Sequence, residues 1–299
     1  METVKDVFNN FREALNGLYD PHETEAITLT VLTEMLDTSK AHIKAFPEKE
    51  LDAANTHELS RILSELQTGK PLQYVLGETE FYGLKFKVNP AVLIPRLETE
   101  ELVEWILGSV AGLEVSGSGG EVKILDIGTG SGCIAISLKK YLHVADVSAM
   151  DISPAALATA KANAVLNEVE VHFMEDDILN PAFKMDALGV DEDQSKFSII
   201  VSNPPYVTLE DKLQMHTNVT DFEPHTALFV PEHDPLIFYR AIAEFANENL
   251  AANGLLFFEI NESYGEQTVD LLKQNNFINI ELKKDMSGRD RMIKAILNI

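Results

Sequence analysis

The tetrapeptide Asn203-Pro204-Pro205-Tyr206 combines residue types that suit the binding of a planar NH2 group. Two consecutive prolines fix φ and remove two backbone donors, so the carbonyls of Asn203 and Pro204 can accept hydrogen bonds from a ligand. The Asn203 side chain adds an amide oxygen, and paired acceptors match the two hydrogens of NH2. Tyr206 offers a flat face on which an amide or base can stack. We predict that all four residues bind the reacting group and that catalysis depends on Asn203, Pro204 and Tyr206.

Such an arrangement suits transfer of a group to nitrogen. An amide nitrogen is a weak nucleophile because its lone pair is delocalised into the carbonyl. Acceptors that hold both hydrogens raise the electron density on nitrogen and orient it for in-line displacement, for example at the methyl group of a sulfonium. Orientation of this kind can contribute roughly 7–11 kcal/mol. No general base is needed before attack, since the product nitrogen becomes acidic and loses its proton afterwards.

A glycine-rich turn predicts a nucleoside site; it consists of Gly128, Thr129, Gly130, Ser131 and Gly132. Glycines between a strand and a helix permit a tight bend and let a ligand lie against bare backbone. Asp151, at the end of the next strand, can accept hydrogen bonds from ribose hydroxyls. After the third strand, Asp177 can accept from the exocyclic amine of adenine, with Ile178 against the ring, or it can cap the next turn. The spacing departs from the dinucleotide pattern Gly-x-Gly-x-x-Gly, whose third glycine would stand at Cys133.

Alternating strands and helices would position these residues. Predicted strands cover residues 122–127, 144–150, 169–174, 197–201 and 254–260, and predicted helices cover 133–141, 154–167, 235–252 and 264–275. This alternation is typical of a parallel sheet covered on both faces. The last two strands, 278–282 and 292–297, form a hairpin around Gly288, which predicts one antiparallel edge strand. Polar loops are expected at 116–120 and 189–196.

The N-terminal part has a different pattern. Apolar residues three and four apart predict three helices, with the stripes Val4, Val7, Phe8, Phe11, Leu15, Leu18; Ile27, Val31, Leu32, Met35; and Leu59, Ile62, Leu63, Leu66. Alternating apolar residues around Gly83 then predict a β-hairpin. We therefore predict a helical domain (residues 1–72) that recognises a partner or only stabilises the rest, a β-hairpin linker (73–95) and an α/β domain (96–299).

The composition argues against a nucleic-acid-binding surface. With 24 Lys and Arg against 48 Asp and Glu, the net charge is −24, which would mostly repel phosphates. The single cysteine, Cys133, excludes a disulfide framework and points to a reducing compartment. His216, His225 and His233 lack carboxylates at ligand spacing, so no metal site is predicted. The charged N-terminus and the lack of a long apolar run predict a cytoplasmic protein without a membrane span, and we expect a monomer.

Several further segments carry a family resemblance. They lie at residues 71–74, 81–86, 93–100, 223–228 and 285–291. Together with the glycine turn and Asn203-Pro204-Pro205-Tyr206, they closely resemble the PrmC/HemK family, the bacterial release-factor glutamine methyltransferases, over nearly the whole chain. The linker segments are more specific than the tetrapeptide, which many nitrogen methyltransferases share. Leu97 departs from the family pattern, which has proline there.

The resemblance implies a seven-stranded Rossmann-like class I methyltransferase domain, a β-hairpin linker and an N-terminal helical bundle. It implies S-adenosyl-L-methionine as methyl donor, with S-adenosyl-L-homocysteine as product, and class I peptide release factors as partners. The implied acceptor is the glutamine of their Gly-Gly-Gln motif. The implied cofactor contacts are Gly128, Thr129, Gly130, Ser131, Gly132, Asp151, Ile178 and Asn203, with Asp177 close by, and the implied glutamine contacts are Asn203, Pro204, Pro205 and Tyr206.

Other acceptors fit parts of this pattern. A glutamine of a ribosomal protein would need the same tetrapeptide and most of the same fold, although the segment with Pro95, Arg96 and Glu98 favours release factors. A DNA adenine or rRNA guanine also presents a planar NH2 group. That alternative predicts a basic face or an inserted recognition domain, and the sequence indicates neither. A binding module without catalysis would leave the acceptor groups without a purpose.

Overall fold

A computed structural model describes residues 2–110, 122–180 and 196–298. The loop predicted at 116–120 lies outside these residues, as does the loop predicted at 189–196 apart from Lys196. Within the described ranges, no helix is both long enough and apolar enough to cross a membrane. The same ranges hold no group of three His, Cys, Asp or Glu side chains that could hold a metal ion.

The chain divides into two compact units. The first consists of Met1–Gly77 together with His216–Phe222, so a short segment from late in the chain belongs with the N-terminal helices. The second consists of Glu78–Met215 and Glu223–Ile299. Among the described residues, the first unit has one buried apolar cluster and the second has two.

The helices and strands are numbered in chain order. The helices are α1 (Val4–Ala14), α2 (Pro21–Met35), α3 (Lys40–Ala45), α4 (Ala53–Leu66), α5 (Leu72–Leu76), α6 (Leu97–Val110), α7 (Cys133–Tyr141), α8 (Pro154–Leu166), α9 (Leu209–Lys212), α10 (Thr217–Phe222), α11 (His225–Leu228), α12 (Ile237–Asn249) and α13 (Gly265–Gln274). The strands are β1 (Glu78–Phe81), β2 (Leu84–Lys87), β3 (Lys123–Ile127), β4 (Asp146–Asp151), β5 (His172–Glu175), β6 (Phe197–Ser202), β7 (Leu250–Glu259), β8 (Phe277–Lys284) and β9 (Asp290–Leu297). A 3-10 turn, Glu262–Tyr264, precedes α13.

Polar side chains determine where the helices of the first unit begin. Thr3 and Asp6 form a capping box at α1, in which the Asp6 N–H donates to Thr3 Oγ1 and the Thr3 N–H donates to Asp6 Oδ2. Asp20 caps α2 and Asp52 caps α4. The predicted apolar stripes supply most of the core of this unit, including the fully buried Val7, Phe11, Leu32, Ile62 and Leu66.

The helix predictions for this unit needed three corrections. Leu18 was wrongly placed in a buried stripe: its side chain is 52% exposed, because α1 ends at Ala14 and Gly17 turns the chain with a φ of 90°. The helix α3 was not predicted, since with one buried apolar residue, Ile43, it is too short to show periodicity. The helix α5 (Leu72–Leu76) was not predicted: it begins at the last residue of the predicted helical domain and continues into the predicted linker, where Gly77 (φ 78°) is its C-cap, and the hairpin itself is formed by β1 and β2.

The second unit contains the predicted seven-stranded sheet, in the order β5-β4-β3-β6-β7-β9-β8. Five neighbouring strands, from β5 to β7, run parallel, and β9 is antiparallel to β7 and to β8. The predicted terminal hairpin is confirmed, but its antiparallel strand does not lie at the edge. Strand β9 inserts between β7 and β8, because its alternate residues Ile293 and Ala295 are fully buried, which an edge strand would not require.

The strand register aligns the carboxyl ends of β3, β4, β5 and β6 with one another. Ile127 of β3 pairs with Met150 of β4 and with Ser202 of β6, while Asp151 pairs with Glu175 of β5. Apolar side chains alternate between a layer with α6, α7 and α8 and a layer with α12 and α13. Helices on both faces leave the carboxyl ends of the strands as the edge at which a ligand can bind.

Candidate active site

A cavity of about 400 Å³ lies beyond the carboxyl ends of β3, β4, β5 and β6. The strand order reverses here, because β4 and β6 flank β3 on opposite sides. In open α/β sheets this is the usual place for a ligand. Eight of the nine predicted cofactor residues line the cavity: Gly128, Thr129, Gly130, Ser131, Asp151, Asp177, Ile178 and Asn203.

The glycine turn between β3 and α7 presents backbone to this cavity. Gly128 and Gly130 have φ values of 74° and 55°, and a Cβ at either position would meet no atom within 4 Å. Gly132, the ninth predicted cofactor residue, is not part of the cavity wall. It begins α7 with a φ of 82°, and a Cβ there would lie 2.8 Å from Ile136 and 3.1 Å from Ala160. Glycine is therefore required at 132 for helix packing.

Asp151 links the glycine turn to the end of β4. Its Oδ2 accepts a hydrogen bond from the Gly130 N–H at 2.8 Å, and its Oδ1 accepts one from the Ser153 N–H at 2.9 Å. Burial raises the pKa of Asp151, while these two backbone donors lower it. Each carboxylate oxygen can accept further hydrogen bonds, so Asp151 can still bind ligand hydroxyls.

Asp126, near the end of β3, is a buried hydrogen-bond acceptor for the glycine turn. Its Oδ2 accepts from the Thr129 hydroxyl at 2.6 Å and from the Ala135 N–H at 3.3 Å. Burial raises the pKa of Asp126 to about 7. Its Oδ1 is buried with no hydrogen-bond partner among the described residues, which adds to the cost of ionising this group.

The residues after β5 have two roles. Asp176, Asp177 and Ile178 line the cavity. Asp177 Oδ1 also accepts a hydrogen bond from the Leu179 N–H at 2.9 Å, which is the turn-capping role weighed from the sequence. Its other oxygen can still contact a ligand.

The Asn203–Tyr206 turn continues β6 beside the glycine turn. The Ser202 hydroxyl donates to the Ile127 carbonyl at 2.6 Å and so joins the ends of β6 and β3. No described residue donates to the backbone carbonyls of Asn203 and Pro204 or to Asn203 Oδ1. These three oxygens are therefore available to a ligand.

A second cavity, of about 310 Å³, shares Asn203 and Pro204 with the first. Tyr206 lines this second cavity, together with Met215, Asn261 and three arginines. The arginines are paired with acids: Arg96 with Glu223 at 2.5 Å, Arg291 with Asp285 at 3.2 Å and Arg289 with Glu262 at 3.4 Å. Because their charges are compensated, they do not by themselves form an anion site.

Four buried polar residues around the site were missed from the sequence: Thr99, Asn163, Glu259 and Asn261. Asn261 Nδ2 donates to the Tyr206 carbonyl at 3.1 Å and to Asp211 Oδ2 at 2.9 Å. Asn163 Nδ2 donates to the Ser131 carbonyl at 2.9 Å and so holds the glycine turn against α8. A signal existed for Glu259, since a carboxylate directly after the apolar run 255–258 is as conspicuous in the sequence as Asp151.

Burial also favours the neutral forms of Cys133, Tyr206 and Glu259. The pKa of Cys133 is raised to about 12 by burial, which makes it the packing residue that was predicted and not a nucleophile. Burial raises the pKa of Tyr206, and so does the charge of Glu259. The pKa of Glu259 is also raised by burial, while hydrogen bonds from Thr99 and Tyr206 and the charge of Arg291 lower it.

Two family descriptions match the chain. The PrmC N-terminal domain matches residues 6–77, and the methyltransferase small domain matches residues 113–221. The release factor glutamine methyltransferase of Flavobacterium psychrophilum is 47% identical over 98% of both chains. The protein of the same name from Bacteroides thetaiotaomicron is 42% identical, over 95% of this chain and 96% of its own. The chain belongs to the release factor glutamine methyltransferase family.

A solved structure shares the fold of this family member. The Thermus thermophilus 16S rRNA N2 G1207 methyltransferase, in complex with AdoMet and guanosine, is 18% identical with a TM-score of 0.50. The match covers 74% of this chain and 50% of the other. At that identity the likeness concerns the fold alone. The predicted Rossmann-like class I methyltransferase fold is confirmed, and membership of this family implies a dependence on S-adenosylmethionine.

Proposed function

We propose that this chain transfers a methyl group from S-adenosyl-L-methionine to the side-chain amide nitrogen of the glutamine in the Gly-Gly-Gln motif of class I peptide release factors. The observation that carries the proposal is the set of unused oxygens on Asn203 and Pro204, at a turn that borders both cavities. Close relatives over nearly the full chain bear the name of this activity.

The first cavity fits S-adenosyl-L-methionine. The space beside Gly128 and Gly130, which a Cβ would fill, lets a ligand approach the backbone. Asp151 offers carboxylate acceptors for ribose hydroxyls, and Ile178 offers an apolar surface for a flat base with Asp177 near its amine. When bound, S-adenosyl-L-methionine supplies an electrophilic methyl group. Thr129 and Ser131 complete the turn that holds it.

The second cavity fits the glutamine side chain. Asn203 Oδ1 and the Pro204 carbonyl accept the two amide hydrogens, which orients the nitrogen and raises its nucleophilicity. Pro205 keeps the turn rigid, and the Tyr206 ring packs against the flat amide. Transfer would break the bond between the methyl carbon and the sulfonium sulfur, with S-adenosyl-L-homocysteine as leaving group, as the nitrogen–carbon bond forms. The methylated nitrogen would then be acidic, so one N–H proton could pass to solvent without a dedicated base.

The N-terminal unit suits recognition of the release factor, since no chemistry is visible in it. Deleting residues 1–70 should weaken binding of whole release factor far more than binding of a short Gly-Gly-Gln peptide. Retained cofactor affinity would show that the second unit of the variant remains folded. An equal loss for factor and peptide would contradict this role.

The net charge of −24 supports a protein acceptor over direct contact with nucleic acid. A reaction on release factors also fits a cytoplasmic protein, and we propose that it acts as a monomer. The test is to incubate the protein separately with a class I release factor, ribosomal proteins, DNA and rRNA in the presence of methyl-labelled cofactor. Label on the Gly-Gly-Gln peptide of the release factor is expected. Label only on a ribosomal protein or nucleic acid would overturn the proposal in favour of that acceptor.

A further inference from the structure

Glu259, the last residue of β7, is a buried carboxylate with a specific set of donors. It is 1% exposed and directly follows four buried apolar residues of this strand, 255–258. Oε2 accepts a hydrogen bond from the Thr99 hydroxyl at 2.6 Å, and Oε1 accepts one from the Tyr206 hydroxyl at 3.1 Å. Burying a carboxylate costs free energy unless it accepts hydrogen bonds. Since its oxygens only accept, the hydroxyl hydrogens of Thr99 and Tyr206 both point at Glu259.

The direction of the Thr99 hydrogen bond determines the orientation of the Asn203 amide. A hydroxyl has one hydrogen, and that of Thr99 is donated to Glu259. The Thr99 oxygen can therefore only accept from the Asn203 amide, and it does so from Nδ2 at 3.3 Å. With nitrogen directed at Thr99, the amide oxygen of Asn203 is left free for another donor.

We propose that Glu259 is a positioning residue for methyl transfer: through Thr99 it determines which end of the Asn203 amide is offered to the substrate, and through the Tyr206 hydroxyl it fixes the ring that packs on the substrate. This assignment rests on the proposed function. Glu259 acts only through its two partners, because it lines neither cavity.

Substitutions of Thr99 test the relay with the least disturbance. Thr99→Val keeps the shape and removes the hydroxyl, so Asn203 Nδ2 loses its acceptor and the amide can turn over. Thr99→Ser keeps the hydroxyl. Loss of a hydrogen bond to a charged group predicts a kcat roughly tenfold to a hundredfold lower for the valine variant, and a kcat within about threefold of wild type for the serine variant.

Glu259→Gln tests whether the Glu259 carboxylate determines the direction of the Thr99 hydroxyl hydrogen. Glutamine has one acceptor and one NH2 donor, so it cannot accept from Thr99 and Tyr206 together. If its NH2 faces Thr99, the Thr99 hydrogen turns to Asn203 and the amide oxygen is no longer free. Tyr239→Phe is the matched control, because the Tyr239 hydroxyl reaches the backbone carbonyl of Glu259 at 3.4 Å and not its carboxylate.

The experiment measures kcat and KM for release factor, and the Kd of S-adenosyl-L-methionine, for wild type and the four variants. We expect lower kcat in Thr99→Val and Glu259→Gln with an unchanged cofactor Kd, and near-wild-type values in Thr99→Ser and Tyr239→Phe.

Wild-type kcat in Thr99→Val would overturn the positioning role while leaving the proposed function intact, as would a serine variant as slow as the valine variant. A parallel loss of cofactor affinity would also overturn it, since Thr99 lines the first cavity and its substitution would then act through cofactor binding. If Glu259→Gln does not fold, the Thr99 pair decides. A wild-type protein that does not methylate release factor would overturn both proposals.

Discussion

Two neighbouring turns form the candidate active site, and they are built in opposite ways. The turn after β3 uses glycines with positive φ and offers bare backbone to a ligand. The turn after β6 uses prolines and offers oxygens, since no described residue donates to the carbonyls of Asn203 and Pro204. The Ser202 hydroxyl joins the two strands at 2.6 Å from the Ile127 carbonyl. The first turn suits holding a cofactor and the second suits orienting an acceptor, so variants of the two should fail in different steps.

The largest effect is expected in the β6 turn. Asn203→Ala removes the side-chain acceptor for the amide hydrogens and should lower the single-turnover rate roughly a hundredfold to a thousandfold, the range for loss of one preorganised polar group in a reacting site. Cofactor affinity should fall much less, because the cofactor keeps its contacts with the glycine turn and Asp151. Rapid-quench measurement at saturating cofactor, with calorimetry for the Kd, separates the two. A variant that loses affinity and keeps its rate would reverse the roles of the turns.

A smaller effect, of the opposite kind, is expected at the end of β4. Asp151→Asn keeps the shape and removes the charge that can bind ribose hydroxyls. The cofactor Kd should rise roughly tenfold to a hundredfold, while the rate at saturating cofactor stays close to wild type. Titration calorimetry checks the first expectation and single-turnover kinetics the second. An unchanged Kd would remove Asp151 from the cofactor site.

The glycine turn itself should be more tolerant. Gly130→Ala places a methyl group at the cavity wall and a side chain at a φ of 55°, at a cost of roughly 1–2 kcal/mol. We expect the cofactor Kd to rise about tenfold, because the added methyl group occupies space in which the ligand would lie against bare backbone. Gly108→Ala is the matched control, since Gly108 lies in α6 and an added Cβ also meets no atom within 4 Å there. Equal effects at the two glycines would show that the cavity does not depend on a bare turn.

The smallest expected effect concerns the contribution of Asp126 to the free energy of unfolding. Burial raises the folded-state pKa of Asp126 from an ordinary value of 3.8 to about 7. The folded protein therefore keeps a proton on Asp126 that the unfolded chain releases near pH 4. The contribution of this proton to the free energy of unfolding is lost as the pH rises through 7. From pH 4 to pH 8, the free energy of unfolding of wild type should fall, relative to that of Asp126→Asn, by at least about 1 kcal/mol. Denaturant titrations across that range check this, and parallel curves for the two proteins would contradict it.

The same two turns show how far a sequence can be interpreted. The glycine turn is local: its glycines, Asp151 and the register of β3 against β4 all follow from short segments, and eight of the nine predicted cofactor residues line the cavity. The exception, Gly132, is required by packing against Ala160, a contact with another helix. Spacing along the chain was therefore enough to predict which residues come together at this cavity.

The tetrapeptide was visible in the sequence, but its supports were not. Thr99 of α6 contacts both Asn203 and Glu259, the last residue of β7, and Asn261 donates to the Tyr206 carbonyl from beyond that strand. Each contact depends on the strand order, and no periodicity along the chain encodes a side-chain hydrogen bond between distant segments. The position of β9 inside the sheet was missed for the same reason, since pairing of non-neighbouring strands is a tertiary property.

The most direct test of the central claim is a crystal structure with S-adenosyl-L-homocysteine and a Gly-Gly-Gln peptide. We expect the glutamine nitrogen to lie within about 3.2 Å of both Asn203 Oδ1 and the Pro204 carbonyl oxygen, with the nucleoside against Gly128, Gly130 and Asp151. A glutamine side chain bound away from the Asn203–Tyr206 turn, or bound with its oxygen facing Asn203, would contradict it.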